Sequence, residues 1–400
     1  MKKREDIELL APAGSFEALV AAVQNGANAI YLGGQKFGAR AFAHNFDYAA
    51  LKEAVDYCHL RNVKLYVTVN TLYNNAEIDE IFDYLKYLYH IGVDALIIQD
   101  MGLFSLIKNH FPDIEIHMST QASVRNIEGV KYFAKQNIDR VVLAREMNIR
   151  EIEEICHNCS IDIEVFVHGA LCMSYSGQCL MSSMIAKRSG NKGECGQPCR
   201  LPYSLLEDNK IIKKQKYLLS PMDLCTIEKV PKLIDAGIKS FKIEGRMKTA
   251  LYVATVARTY RKAIDDCMES PEKYHANMPW YQEQISNCTY RQFTTGFFYG
   301  KPDENTQIYD SNTYVREYTY LGFAEEIDER GLARLTQRNK FSVGETIEIM
   351  KPDGRNIPVT VEAIYNEEGE AMESAPHAQQ RIYVKLTEMP EVFDILRRGE

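Results

Sequence analysis

Eight short apolar runs, most of them followed by a stretch of helical periodicity, limit this chain's fold more than any other feature. The runs fall at 7–11, 29–33, 64–70, 95–100, 115–120, 140–145, 162–168 and 240–246. Most are near-continuous in Val, Ile, Leu and Tyr, as strands buried on both faces are. Helical patterns lie between them, at 15–25, 47–60, 78–89 and 150–157, with Ser15 and Asp47 as N-caps. Strands alternating with helices imply a parallel sheet, and eight units imply an α/β fold of the closed (β/α)8 TIM-like barrel type. An open doubly wound sheet is the competing reading. It is disfavoured because the first run leads into APAGSF rather than a G-x-G-x-x-G turn.

The seventh unit breaks the rhythm. An insertion over 170–239 separates runs seven and eight. It contains four cysteines, a hairpin predicted from 203–207 and 216–219 about a turn at Asp208 and Asn209, and a helix near 226–236. In a barrel the loops after the strands build the active-site face, so this insertion is expected to cap that face. A long helix follows at 249–267, then a polar linker with Trp280. Beyond residue 305 the pattern changes to short strands at 318–327, 331–337, 345–350, 359–365 and 381–387, some divided by Asp353-Gly354 and Glu368-Gly369 turns. The expected organisation is a TIM-like catalytic barrel over 1–304, with 170–239 as a cluster-binding insertion, and a small C-terminal β-barrel domain over 305–400.

The four cysteines, Cys172, Cys179, Cys195 and Cys199, are spaced C-x6-C-x15-C-x3-C. Four thiolates in one short stretch can surround a single soft metal centre. Structural zinc sites favour tighter knuckles, which only the second pair matches. Disulfides need an oxidising compartment, and MKKREDIELLAPAG has no apolar signal core, so a cytoplasmic protein is expected. Iron–sulfur, zinc and reactive or structural thiols all remain readings of the spacing. Cys58 and Cys267, on apolar helix faces, read as core thiols. Glycines at 169, 177, 193 and 196 suit a backbone wrapping closely around an inorganic core.

The net charge of −8 is uneven. Residues 185–248 hold 14 Lys and Arg against 7 Asp and Glu, a net of +7, whereas residues 305–400 hold 11 against 18, a net of −7. A basic insertion suits a polyanion, although a solvated face would look the same. No apolar run approaches the ~20 residues of a membrane span.

Polar residues gather at the predicted strand ends. Arg40, Arg145 and Arg246 are placed to clamp carboxylates or phosphates, with Asn70 and Gln121 beside them as substrate-binding groups. His168, four residues before Cys172, is a candidate acid/base or a hydrogen-bond partner near the cysteines. Glu164, two pleats earlier, is expected on the same face to orient it. Lys242 and Glu244 share a face of strand eight and read as catalytic groups or as an internal ion pair. No H-E-x-x-H, G-x-S-x-G or C-x3-C-x2-C signature is present.

ELLAPAGSFEAL, EVFVHGALCMSYSGQC and FKIEGRMK resemble the collagenase-like peptidase family thirty-two of unassigned type, in particular its tRNA hydroxylation branch. The resemblance spans nearly the whole barrel. It implies an iron–sulfur tRNA-modifying enzyme with a [4Fe-4S] cluster on Cys172, Cys179, Cys195 and Cys199, Cys225 being a possible substitute ligand. It further implies prephenate-dependent hydroxylation of wobble uridine to 5-hydroxyuridine. The partners would be the tRNA anticodon stem-loop, prephenate and a homo- or hetero-oligomeric subunit, with no membrane. Tyr175 and Phe166 are candidates for stacking on a splayed base. The family's peptidase label leaves a Cys172–His168 thiol hydrolase as the alternative.

Overall fold

The computed structural model describes residues 7–40, 43–311 and 313–400. Its barrel strands are β1 (Glu8–Pro12), β2 (Ala29–Leu32), β3 (Lys64–Val69), β4 (Ala95–Ile98), β5 (Glu115–Met118), β6 (Arg140–Val142), β7 (Asp162–Ala170) and β8 (Ser240–Ile243). Each pairs in parallel with the next, and β8 pairs with both β7 and β1, closing the barrel. All eight predicted runs are strands, and their near-uniform burial follows from the helices outside and the packed interior.

Helix starts follow local capping. Ser15 accepts a hydrogen bond from the Ala18 amide to open Phe16–Gln24, and Asp47 accepts from Ala50 to open Tyr48–His59. Thr249 caps the 20-residue helix Ala250–Glu269, most of whose side chains are buried because it packs on the barrel, on Phe16–Gln24 and on the C-terminal domain.

The barrel interior is polar at its lower end. Glu8 accepts from Tyr66 (2.6 Å), Ser240 (2.8 Å) and Arg140 (2.5 Å). Glu164 accepts from Lys242 (2.7 Å) and Arg140 (3.1 Å). Two largely buried carboxylates thus face two buried cations, with the half-exposed Asp162 3.8 Å from Arg140 at the outer end.

The hairpin corrects one expectation. Its second strand is Lys210–Lys216, directly after the turn, rather than 216–219. Asp208 and Asn209 both take left-handed backbone (φ 44° and 62°), which lets a two-residue loop join Tyr203–Glu207 to its partner. The predicted helix near 226–236 is a short 3-10 turn, Ile227–Lys229, followed by Val230–Asp235, with Pro231 in its first turn.

The C-terminal domain is an antiparallel sheet around its own apolar core. Its first segment bends after Phe323: Tyr318–Phe323 pairs with Ile395–Gly399, and Glu326–Ile327 pairs with Ala333–Thr336. The two ends of the strand order are therefore consecutive pieces of one segment, and the sheet curls around. Sequence patterning missed Ile395–Gly399, whose DILRRG reads as a charged tail. Arg397 is nevertheless fully buried, held by Glu348 at 2.9 Å. Among the described residues no helix is long and apolar enough to cross a membrane.

Candidate functional site

The C-terminal ends of the strands carry an excess of positive charge, buried at Arg246 and half-exposed at Arg40. Glu244, just beyond β8, pairs with Arg145 at 2.8 Å and with Arg40 at 3.5 Å. Burial alone would raise its carboxyl, but Arg40, Arg145 and Arg246 outweigh burial and hold it at about 2. Arg246 is buried and donates to Thr68 (2.8 Å) and Asn45 (2.7 Å), neither of them a carboxylate. Burial and then Arg40 bring its guanidinium down to about 10. The Arg246 head packs against Gly33, where any side chain would collide with it. Three guanidinium groups thus surround one carboxylate.

Asn70 and Gln121 complete the rim. Asn70 accepts from the Ala39 amide (3.1 Å) and donates to Ser119 (3.2 Å), while Gln121 donates to the Asn70 carbonyl (3.3 Å). A cavity of about 310 Å³ opens beside Asn45, Thr71 and Glu77, roofed by Lys192 and Glu194 of the insertion. The structure therefore brings together Arg40, Arg145, Arg246, Glu244, Asn70 and Gln121.

The cysteine segment lies across this mouth. Ser176 donates to Glu146 at 2.9 Å and accepts from the Arg145 amide at 3.3 Å. Gly177 (φ 74°) lies on the Gln121 carbonyl, where a Cβ would overlap the oxygen. Lys192 pairs with Glu77 at 2.7 Å. Arg200, which sequence reasoning passed over, is a buried brace: it donates to Ser220 (2.8 Å), to the Pro221 carbonyl and to the Leu171 carbonyl (3.1 Å). It ties the residue after Cys199 to the residue before Cys172. An arginine adjoining the last cysteine was the only signal in the sequence.

All four thiols are free of disulfides; Cys172 and Cys195 are exposed, Cys179 and Cys199 half-buried. Burial raises the Cys199 thiol, and Cys172, Cys195 and Cys179 push it the same way. Arg40 is held charged chiefly by Glu244, with Cys195 and Cys172 contributing. Four soft thiols in one segment, two exposed and two half-buried, fit a soft metal group. Among the described residues, however, no three His, Cys, Asp or Glu side chains converge closely enough to hold a metal ion. The thiols are neighbours and not a preformed coordination sphere. Cys225 lies apart, its thiol 3.9 Å from the Tyr260 hydroxyl and pushed by burial to about 11.

Three expectations change. Glu164 and His168 do not share a face. The β7–β8 register slips, with Lys242 opposite Phe166 and Ile243 opposite His168, so Val167 is an extra residue. Its carbonyl instead accepts from Thr226 and Tyr260. His168 consequently packs outward among Tyr252, Tyr260 and Phe293, and burial lowers it to about 3. Lys242 and Glu244 do not pair with each other; each has a different partner, Glu164 and Arg145. Phe166 is buried, with the Arg145 guanidinium 3.9 Å above its ring, whereas Tyr175 is exposed with Arg125 at 4.6 Å. Of these two stacking candidates, Tyr175 alone is exposed.

Comparison with known proteins places this geometry in a family. The family model described as Peptidase family U32 matches residues 14–308, and that for the Peptidase family U32 C-terminal domain matches 316–397. The tRNA hydroxylation protein P1 of Bacillus subtilis is 37% identical over 401 residues, covering 98% of this chain and 95% of its own. A 23S rRNA 5-hydroxycytidine synthase of Escherichia coli is 41% identical over 264 residues, covering 66% of this chain and 40% of its own. A protein of Porphyromonas gingivalis named collagenase is 32% identical, with 98% of each chain covered. The chain belongs to peptidase family U32.

Proposed function

We propose that this chain hydroxylates a nucleotide of RNA, and specifically that it converts wobble uridine of tRNA to 5-hydroxyuridine in a prephenate-dependent reaction. The observation that carries the reading is the mouth itself, where Arg40, Arg145 and Arg246 outnumber Glu244 beneath a segment bearing four free thiols. Relatives named for tRNA and rRNA hydroxylation support the reaction class.

Cys172, Cys179, Cys195 and Cys199 would hold a [4Fe-4S] cluster, on the segment that Arg200 braces. When bound, such a group supplies one-electron or Lewis-acid chemistry. The chain's own residues do the rest. Two guanidinium charges beyond the one Glu244 neutralises suit a dianion, and prephenate carries two carboxylates. Asn70 and Gln121 orient polar substituents at the rim. Tyr175 offers a stacking face to an unpaired base, as single-stranded RNA recognition requires. Glu164 and Lys242 keep the barrel interior neutral and stiff beneath the site.

The peptidase reading is less well supported. Among the described residues no hydrogen bond joins His168 to Cys172, and His168 is turned into an aromatic cage. Complementing a strain that lacks this gene tests the proposal. Wild type should restore hydroxylated wobble uridine and Cys179→Ala should not. Restoration by neither would refute the reaction, and restoration by both would refute the role of the thiols.

A further inference from the structure

The hairpin formed by Tyr203–Glu207 and Lys210–Lys216 packs on almost nothing. Every residue from Ser204 to Gln215 is exposed on both faces. Leu205, Leu206, Ile211 and Ile212 are each between 46% and 58% exposed. An isolated two-stranded ribbon with uncovered aliphatic side chains is marginal in water and gains from a partner. Its roots are nevertheless fixed. Tyr203 donates to the Pro198 carbonyl (2.8 Å), one residue before Cys199, and the Tyr217 amide donates to Tyr309 (3.1 Å). Seven residues of strand give an arm of ~20 Å standing beside the mouth.

Its charge says what the partner is. Lys210, Lys213, Lys214 and Lys216 lie along one strand, interleaved with Ile211 and Ile212. Among the described residues only Lys216 has a carboxylate partner, Asp310 at 2.6 Å. The cations line the second strand, and with Glu207 and Asp208 at the turn the arm keeps a net of +2 (four Lys less two acids) on a chain whose net charge is −8.

We infer that this hairpin is an RNA-binding arm, gripping the phosphodiester backbone of a folded RNA whose target nucleotide enters the adjacent barrel mouth. The inference rests on the RNA-modifying reading above. Phosphate contacts position an RNA without reading its sequence, which suits an arm rooted at the mouth and reaching away from it.

The test compares the full-length chain with a Lys210→Ser, Lys213→Ser, Lys214→Ser triple variant. The side chains are exposed, so the fold should be unaffected. A second variant, with residues 205–213 replaced by a short glycine turn, removes the arm altogether. The probe is a fluorescent anticodon stem-loop RNA titrated at several salt concentrations. The triple variant should bind about 10-fold more weakly or worse, and its plot of log K against log salt should be shallower by about 2 to 3. KM for RNA should rise with kcat nearly unchanged. An unchanged slope in both variants would overturn the arm. So would a loss of self-association, measured by sedimentation, with RNA binding intact, because the hairpin would then be a protein contact. If wild type itself neither binds RNA nor leaves a hydroxylated nucleoside, the parent reading has failed; if wild type does both and the variants match it, only the arm has failed.

Discussion

Replacing Glu244 by Gln isolates the charge balance at the mouth. The substitution keeps the shape of the side chain and mimics its protonated form. Arg40, Arg145 and Arg246 hold the native carboxyl at about 2, against an ordinary value of 4.5. At 1.36 kcal/mol per pH unit, that depression corresponds to about 3 kcal/mol of stability. The sign follows from the direction of the shift. A depressed carboxyl stabilises the fold above its unfolded value, and the contribution fades as pH falls towards 2. The difference in unfolding free energy between wild type and Glu244→Gln should therefore be about 3 kcal/mol from pH 5 to 8, shrink below pH 4.5 and vanish near pH 2. Denaturant unfolding across this range measures it, and taking the difference cancels Glu164, which titrates equally in both proteins. A small dicarboxylate should also stabilise the Gln variant more than wild type, since three guanidinium groups would then lack a counter-charge. Equal stability at pH 7, or a difference that does not change with pH, would refute the reasoning.

Three further outcomes are expected. Lys242→Met leaves Glu164 buried with Arg140 as its remaining close cation and should cost about 3–5 kcal/mol, while Glu164→Gln in the same chain should recover much of it; a loss under about 1 kcal/mol in chemical unfolding would contradict the buried-pair account. Gly177→Ala forces a Cβ onto the Gln121 carbonyl at φ 74°, so proteolysis between residues 172 and 199 should accelerate, with about 1–2 kcal/mol of lost stability. Unchanged cleavage would show that the segment is not seated on the mouth. Arg200→Ala removes the brace between the two halves of the cysteine segment, so Cys199 should react faster with a thiol reagent while the barrel's thermal midpoint barely moves; unaltered reactivity would argue against a bracing role.

The barrel was legible because buried parallel strands are continuous apolar runs, and all eight appear as such between capped helices. The arginines at the rim were legible for a related reason: a polar residue at the end of an apolar strand has little place to go but the mouth. Geometry that depends on a single slipped residue was not legible. Val167 sits in a regular apolar run, and nothing in EVFVHGA announces that its carbonyl leaves the ladder for Thr226 and Tyr260, turning His168 away from Glu164. Partner choice was equally hidden. Lys242 and Glu244 lie two apart at the end of β8, yet their counter-charges come from β7 and from the loop after β6. Arg200 and Arg397 drew no notice in the sequence and are buried, because their partners lie far along the chain.

The account turns on whether the four thiols at the mouth act as one ligand set. An anaerobic absorption spectrum with iron and sulfide assays on freshly purified protein tests this most directly. Broad visible thiolate-to-iron absorption with about four irons per chain, lost in Cys179→Ala, is the predicted result. A colourless protein that binds one zinc or no metal, even after anaerobic reconstitution, would contradict it.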